Sequence, residues 1–378
     1  MSETNTGKQE ITDRIVSRIL SASALDRIFI ALAAVVLALL LGSIVVAATG
    51  NNPVMFVYAL LYGAIGTTSN LSLTLQQATL LCLAGVAVAV SFKAGLFNIG
   101  VQGQFVLGGF ATTIGILWLT PYVPSGVIGG ILLVAFGTVA GILAGGMYAA
   151  IPGLMKAYAD ANEVITTIML NFIATGVTFY LIDQHFKAAN ASATNTESIP
   201  AYAMLPSIVF GSPSFSVIGV LIALVAVISV HLIMNRTRFG YDLVTSGKQA
   251  PAAAFSGVNP KKNIVGTMVF SGMFAGLAGA VFVVMVLGYY SDPGTLPQIG
   301  FNAIAVSLLA ANNPLAVVPA GLLFGGLEAG KQYIGYNLDI QRQLVDGIVG
   351  LIIVFVATPE LFRMVTLWRN TRNNEVDK

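Results

Sequence analysis

Three polar stretches interrupt a chain that is otherwise largely apolar. "FKAGLFNIGVQGQFVLGG" carries Asn98, Gln102 and Gln104 among Gly95, Gly100 and Gly103. "NEVITTIMLNFIA" carries Glu163, Thr166, Thr167 and Asn171. "GFNAIAVSLLAANNP" carries Asn302, Ser307, Asn312 and Asn313. Amides and hydroxyls of this kind are hydrogen-bond donors and acceptors rather than acids, bases or redox groups. At membrane depth such side chains face a bundle interior or a cavity. Each residue taken singly reads as an interhelical hydrogen bond. Taken together, the clusters read as an uncharged polar pathway. Asn98, Gln102, Gln104, Asn171, Asn302 and Ser307 are its candidate lining residues.

Other chemistries lack their residues. "GGLEAGKQ" places Gly325, Gly330 and Lys331 as in a phosphate-binding loop, but Gln332 stands where the magnesium-binding hydroxyl belongs, and no buried strand precedes it. Its glycines, with Gly321, fit close helix packing instead. His185 and His231 have no neighbour at metal-ligand spacing. There is no Gly-x-Ser-x-Gly elbow and no His-Glu-x-x-His. The single cysteine, Cys82, lies in an apolar run and reads as a small core residue. No catalytic group and no metal site is read from the sequence. The acids deepest in apolar sequence, Glu328 and Asp346, read as structural partners of Lys331 or Arg342 or, in an ion-coupled transporter, as the coupling groups.

These clusters must be held by membrane-spanning helices. Of 378 residues, 56% are hydrophobic and 9% charged, against about 25% charged in soluble domains. The apolar runs are continuous, which excludes the alternation of a lipid-facing β-barrel. The reading is an all-α polytopic membrane protein with about ten transmembrane segments. Eight full spans are expected at 27–49, 73–92, 100–119, 124–151, 164–182, 215–234, 263–287 and 343–360. Segments 298–311 and 314–330 form a shorter pair, either two short spans or a re-entrant hairpin; the first, at roughly 21 Å of helix, is short for a crossing.

The first apolar run exceeds a cleavable signal sequence and reads as a retained span. Before it, Ile11, Ile15, Val16, Ile19 and Leu20 recur at helical spacing, which predicts a surface-lying helix in a cytoplasmic segment 1–26. With the N-terminus inside, only Lys187, Lys331 and Arg342 of the 18 Lys and Arg residues fall outside. The C-terminal tail, 361–378, is then also cytoplasmic. Segment 183–214 is an external loop, and 235–262 is the most basic internal loop within the 27–360 membrane domain. In that loop Pro251 suits the first turn of a short helix and Gly257 its end. Its alanines permit close approach to a partner, and Phe255 supplies an anchor.

Four stretches in order, "GLFNIGVQGQ", "NEVITTIMLNFIA", "TRFGYDL" through "AAAFSGVNPKK", and "GFNAIAVSLLAANNPLAVVPAGLLFGGLEAG", resemble the permeases of bacterial ABC importers. The group is the branched-chain amino acid, simple-sugar and nucleoside permease family, and the long N-terminal lead and the second stretch are most similar to its nucleoside branch. The resemblance covers about residues 53–360. In one respect the chain departs from it: the family often has Glu where Gln102 stands, so a negative charge there is not implied.

The resemblance implies a plasma-membrane permease subunit that imports nucleosides. It also implies a coupling segment from Gly240 to Gly257, including Asp242, Pro251, Ala253, Ala254, Phe255 and Gly257, that meets a cytoplasmic ABC ATPase. ATP and magnesium belong to that ATPase, and no cofactor is expected in this chain. A second membrane permease subunit, expected to be a paralogue, and an external substrate-binding lipoprotein complete the machine; nucleic acid is no partner. Rival readings are a simple-sugar or branched-chain amino acid permease of the same family, an ion-coupled secondary transporter, and a membrane-embedded enzyme. Dependence on an ATPase partner, on an ion gradient, or turnover by the chain alone separates them.

Overall fold

The computed structural model of the protein describes residues 24–189, 191–210, 215–255, 257–338, 340, 344–351 and 354–355. The expected amphipathic lead at 11–20 and the tail at 361–378 lie outside them. The described residues are helical, with no named strand and only two isolated bridges, Lys187 to Thr196 and Asn195 to Ser291. The helices are α1 (Ala24–Ala48), α2 (Pro53–Ile65), α3 (Thr68–Lys93), α4 (Val101–Leu119), α5 (Val127–Ala159), α6 (Glu163–Leu181), α7 (Val217–Arg236), α8 (Arg238–Lys248), α9 (Ala250–Phe255), α10 (Pro260–Phe282), α11 (Ile299–Leu309) and α12 (Val317–Asn337). Residues 344–351 form a further helix.

Six of these helices are long and apolar enough to cross a membrane, or seven if the bent pair ending in α11 and α12 is one span. The short pair expected at 298–330 is that bent pair, turning by 117°. Ala311 and Asn312 take left-handed φ at the bend, 50° and 56°. Helix α2 was not among the expected spans. Its 13 residues reach only about 20 Å, too short to cross alone.

Two compact units are present. The first comprises the described residues within Met1–Leu60 and Lys331–Lys378. Within it Gly42 of α1 lets Ile348 approach closely. The Lys331 ammonium lies 3.3 Å from the Asp346 carboxylate, one of the two pairings anticipated for that acid.

The second unit, Leu61–Gly330, has α3 as its most buried helix. Of its most apolar window, 89% is buried, against 28% for α5. Thr67 caps α3, its hydroxyl accepting from the Asn70 N–H. Beside it α4, α5 and α10 meet through glycines. A Cβ on Gly276 would collide with the Gly141 carbonyl, and one on Gly108 with the Gly276 backbone. A Cβ on Gly272 would strike the Gly145 carbonyl. Lipid tails are as apolar as leucine, so helices gain by close backbone approach, and these glycines permit it.

Past α10 the chain widens into a π turn over Val283–Leu287 and stops at Gly288, φ +70°. The expected external loop is tied down along this turn. Leu205 N–H donates to the Val284 carbonyl at 2.8 Å, Ile199 N–H to Gly288 at 2.8 Å, and Thr196 N–H to Tyr290 at 2.9 Å. Tyr290 is wholly buried, and its hydroxyl donates to the Val106 carbonyl at 2.6 Å. Burial pushes the phenol well above its ordinary range, so it remains a neutral donor.

Overpacking of the three-helix seam is therefore costly. Gly276→Val should destabilise the purified protein by about 1–3 kcal/mol or more, read as a lowered thermal midpoint in detergent. Gly176→Val, where a Cβ meets nothing within 4 Å, should leave the midpoint unchanged.

Candidate functional site

The chain leaves α3 at Lys93 and re-enters the bundle at Val101. The non-helical loop between them has backbone groups with no helical partner. Asn98, fully buried, satisfies one of them and links the loop to two neighbouring side chains. Its Oδ1 accepts from the Gly100 N–H at 3.1 Å and from Gln104 Nε2 at 3.0 Å. Its Nδ2 donates to Gln104 Oε1 at 3.0 Å and to Ser271 Oγ at 2.8 Å. Ser271 in turn donates to the Ala87 carbonyl of α3 at 2.6 Å. Asn98 and Gln104 thus form a reciprocal amide pair that ties α3, α4 and α10 together.

Two further amides act as backbone clamps. From α6, Asn171 Nδ2 donates to the Ile99 carbonyl at 2.9 Å, and its Oδ1 accepts from the Gly103 N–H at 2.8 Å. From α4, Gln102 Nε2 donates to the Pro297 carbonyl at 3.2 Å, and its Oε1 accepts from the Gly300 N–H at 2.7 Å. Asn171 holds the start of α4, and Gln102 holds the start of α11. A Cβ on Gly300 would collide with the Gln102 backbone, so glycine is required for this approach. A carboxylate at 102 would accept from Gly300 but could not donate to Pro297. The amide does both at any pH.

Asn98, Gln102, Gln104 and Asn171 therefore form one buried cluster at the start of α4. Asn302 and Ser307 lie apart from it. Asn302 Nδ2 donates to Glu328 Oε1 at 3.1 Å, across the bent pair, and both residues are half-buried. Ser307 Oγ donates to Asn312 Oδ1 at 3.0 Å and steadies the turn after α11. Asn162 caps α6, its Oδ1 accepting from Val164 and Ile165 N–H groups.

The 237–263 segment is a second candidate surface. Thr237 caps α8, its hydroxyl accepting from the Gly240 N–H at 3.2 Å. Gly240 packs on the Ile233–Met234 backbone with no room for a Cβ. Gly247, near the end of α8, presses on the Ala94 carbonyl, and Gly95 (φ +73°) faces the Gly247 carbonyl. Segment 237–263 thus touches the loop that carries Asn98. Asn263 Nδ2 donates to the Asp242 carbonyl at 3.1 Å and Ser246 Oγ at 2.8 Å. Asp242 also lies 3.8 Å from the Arg238 guanidinium.

Helix α9 starts one residue before Pro251. It ends in a Schellman arrangement: Val258 N–H donates to the Ala253 carbonyl at 3.0 Å, Gly257 N–H to Ala254 at 3.1 Å, and Gly257 takes φ +81°. Ala253 is fully buried, Ala254 exposed, and Phe255 is 97% exposed. An exposed aromatic ring on a capped helix is a ready anchor for a partner.

The family description "Branched-chain amino acid transport system / permease component" matches residues 70–357. The chain belongs to this permease family. It is 31% identical to the guanosine ABC transporter permease protein NupP of Bacillus subtilis, over 90% of this chain and 96% of the relative. It is 30% identical to the nucleoside ABC transporter permease protein NupB of Lactococcus lactis, over 88% and 91%. A glucose ABC transporter permease protein of Haloferax volcanii is 29% identical over 87% of each chain. The protein is a multi-pass membrane permease, a transport component. Its family and its resemblance to the nucleoside branch agree with what the four sequence stretches implied.

Some buried polar residues are not picked out by the sequence reading. Ser271, the third partner of the amide pair, lies in a run of small residues that gives no signal. Tyr290 sits in what reads as a loop. Gln76 and Gln77, both over nine-tenths buried in α3, were taken into the start of a span.

The clamps make a direct expectation. Asn171→Leu leaves the Ile99 carbonyl and the Gly103 N–H buried without partners, at about 1–3 kcal/mol each. Its thermal midpoint in detergent should fall well below that of Ser307→Ala, which loses one local turn bond.

Proposed function

We propose that this chain is the membrane-spanning permease subunit of an ATP-driven importer of nucleosides. The observation that carries the reading is its near full-length similarity to permeases named for guanosine and for nucleosides, at 31% and 30% identity. The machine it enters has a cytoplasmic ABC ATPase that binds ATP and magnesium, a second membrane subunit and an external binding lipoprotein. The chain itself does no covalent chemistry. Its topology is about ten membrane segments with both termini cytoplasmic, 183–214 external, and 235–262 facing the ATPase. The charge distribution along the sequence supports this orientation.

The geometry supports a mechanical role for the 237–263 segment. Phe255 and Ala254 seat in a groove of the ATPase, with Gly257 and Pro251 bounding the seated helix. ATP-driven closure moves α9 and α8. Gly247 then pushes on Ala94 and Gly95, and the push enters the loop held by Asn98. The amide cluster passes it to α4 and, through Gln102, to α11. Asn98, Gln102, Gln104, Asn171, Asn302 and Ser307 border the path in this reading. The first four set its backbone, and the half-buried Asn302 and its partner Glu328 present polar atoms toward it. Uncharged donors and acceptors suit a nucleoside, which offers hydroxyls and ring N–H groups.

Labelled uridine and guanosine uptake tests the substrate, in cells that lack other nucleoside systems and express the whole importer. Nucleoside accumulation is expected. Uptake of glucose or branched-chain amino acids with none of nucleosides would refute the substrate assignment. Phe255→Asp should lower ATPase co-purification about tenfold or more while the permease stays in the membrane. For orientation, a cysteine placed at Asn195 in a Cys82→Ser background should react with an impermeant thiol reagent in intact cells. One placed at Gln249 should react only after permeabilisation, and the reverse pattern would invert the topology.

A further inference from the structure

Among the described residues, two buried side-chain polar atoms have no hydrogen-bond partner, Gln76 Oε1 and Thr178 Oγ1. A hydroxyl on a helix can turn to a carbonyl one turn back, as Thr175 does to Asn171 at 3.0 Å. The Gln76 carbonyl has no such recourse. It only accepts, and the N–H groups in the interior of its own helix are committed to the helix. Exchanging the amide's oxygen and nitrogen does not help, because it would leave a buried NH2 unpaired at the same place.

The neighbourhood makes this exceptional. Gln76 is 5% exposed and lies on α3, the most buried long helix, about 12 Å from its start. Other polar side chains of α3 are bonded: Asn70 to the Tyr62 carbonyl, Thr74 to Ala64, Thr79 to Leu75 and Ser91 to Val88. The amides at 98, 102, 104 and 171 also have their partners. Gln77, 7% exposed, adds a second amide beside Gln76 and makes no side-chain hydrogen bond among the described residues. Native proteins leave few buried polar groups unpaired, and each one calls for an explanation.

We propose that the Gln76 amide is a substrate-recognition group of the translocation path, accepting a hydrogen bond from a hydroxyl or N–H of a neutral polar solute. Gln77 is a second buried amide next to it in α3. The proposal rests on the importer reading above and adds to it the place where the solute is read. A nucleoside carries both donor types, on the ribose and on the base. Where the amides at 98, 102, 104 and 171 are spent on backbone or on each other, Gln76 is held ready, and the solute completes its hydrogen bonding during passage. A site built to bond a hydroxyl or N–H rejects analogues that lack it, since its own group then stays unpaired.

The experiment uses the complete transporter with Gln76→Met, which keeps length and removes the amide. Two quantities are read: the thermal midpoint of the purified complex without substrate, and initial uptake of labelled uridine. A recognition role predicts a midpoint equal to or above wild type, because an unpaired buried group has been removed, with uptake lowered tenfold or more. It also predicts that Gln76→Met narrows the preference for uridine over deoxyuridine analogues. Uptake within twofold of wild type would overturn the proposal. So would a lowered midpoint or failure to assemble, since either would make Gln76 a structural partner. If the wild-type complex carries labelled glucose and no uridine, the nucleoside reading fails, and the same two quantities measured with glucose decide the role of Gln76.

Discussion

Backbone that leaves the helix inside the protein is the constraint on which this structure turns. A buried N–H or carbonyl without a partner is costly, so such backbone survives only if the protein satisfies it. Here side-chain amides do so. An amide carries a donor and an acceptor at the spacing of a peptide group, so one side chain can serve one exposed N–H and one exposed carbonyl. Asn171 does this for Gly103 and Ile99, and Gln102 for Gly300 and Pro297. Asn98 and Gln104 bond to each other and close the loop between them. Without these clamps, backbone groups at the starts of α4 and α11 would be buried without partners, at a cost for each group.

In the proposed mechanism the clamps matter because of what they connect. The seam of α4, α5 and α10 is closed by glycines at backbone contact, which leaves it little freedom to deform. The exposed Phe255 lies on the segment that reaches the Asn98 loop through Gly247 and Ala94. A displacement applied at α9 therefore meets backbone on backbone before it meets any flexible side chain. The interior it reaches is chiefly amide and hydroxyl. Such groups do not titrate, which fits the proposed supply of energy by a partner subunit.

Much of this could be read from the sequence, and the part that could not has a physical reason. Continuous apolar runs mark long helices whatever they pack against, so α3 through α7 and α10 appear near their expected places. Asn98, Gln102 and Asn171 stand out because polar residues are rare in such runs. The partners of Asn171 and Gln102 do not stand out: Asn171 bonds to Ile99, 72 residues away, and the partner atoms are backbone, which every residue has. Pro251 and Gly257 marked the ends of a short helix by local chemistry, and α9 follows. Helix α2 was missed because 13 residues are too few to read as a crossing. Gln76 and Gln77 follow Ser69, Asn70, Ser72 and Thr74, so they read as the polar edge of a span rather than part of its buried interior.

The central claim is that this chain moves nucleosides by energy supplied through a partner ATPase. The complex of permease subunits and ATPase, reconstituted in sealed vesicles with the binding lipoprotein on the opposite face, tests it most directly. Labelled uridine should accumulate only when ATP is present on the ATPase side, and ionophores that collapse proton and sodium gradients should leave the rate unchanged. Uridine accumulation driven by an ion gradient, by the permease alone and without ATP, would contradict the account.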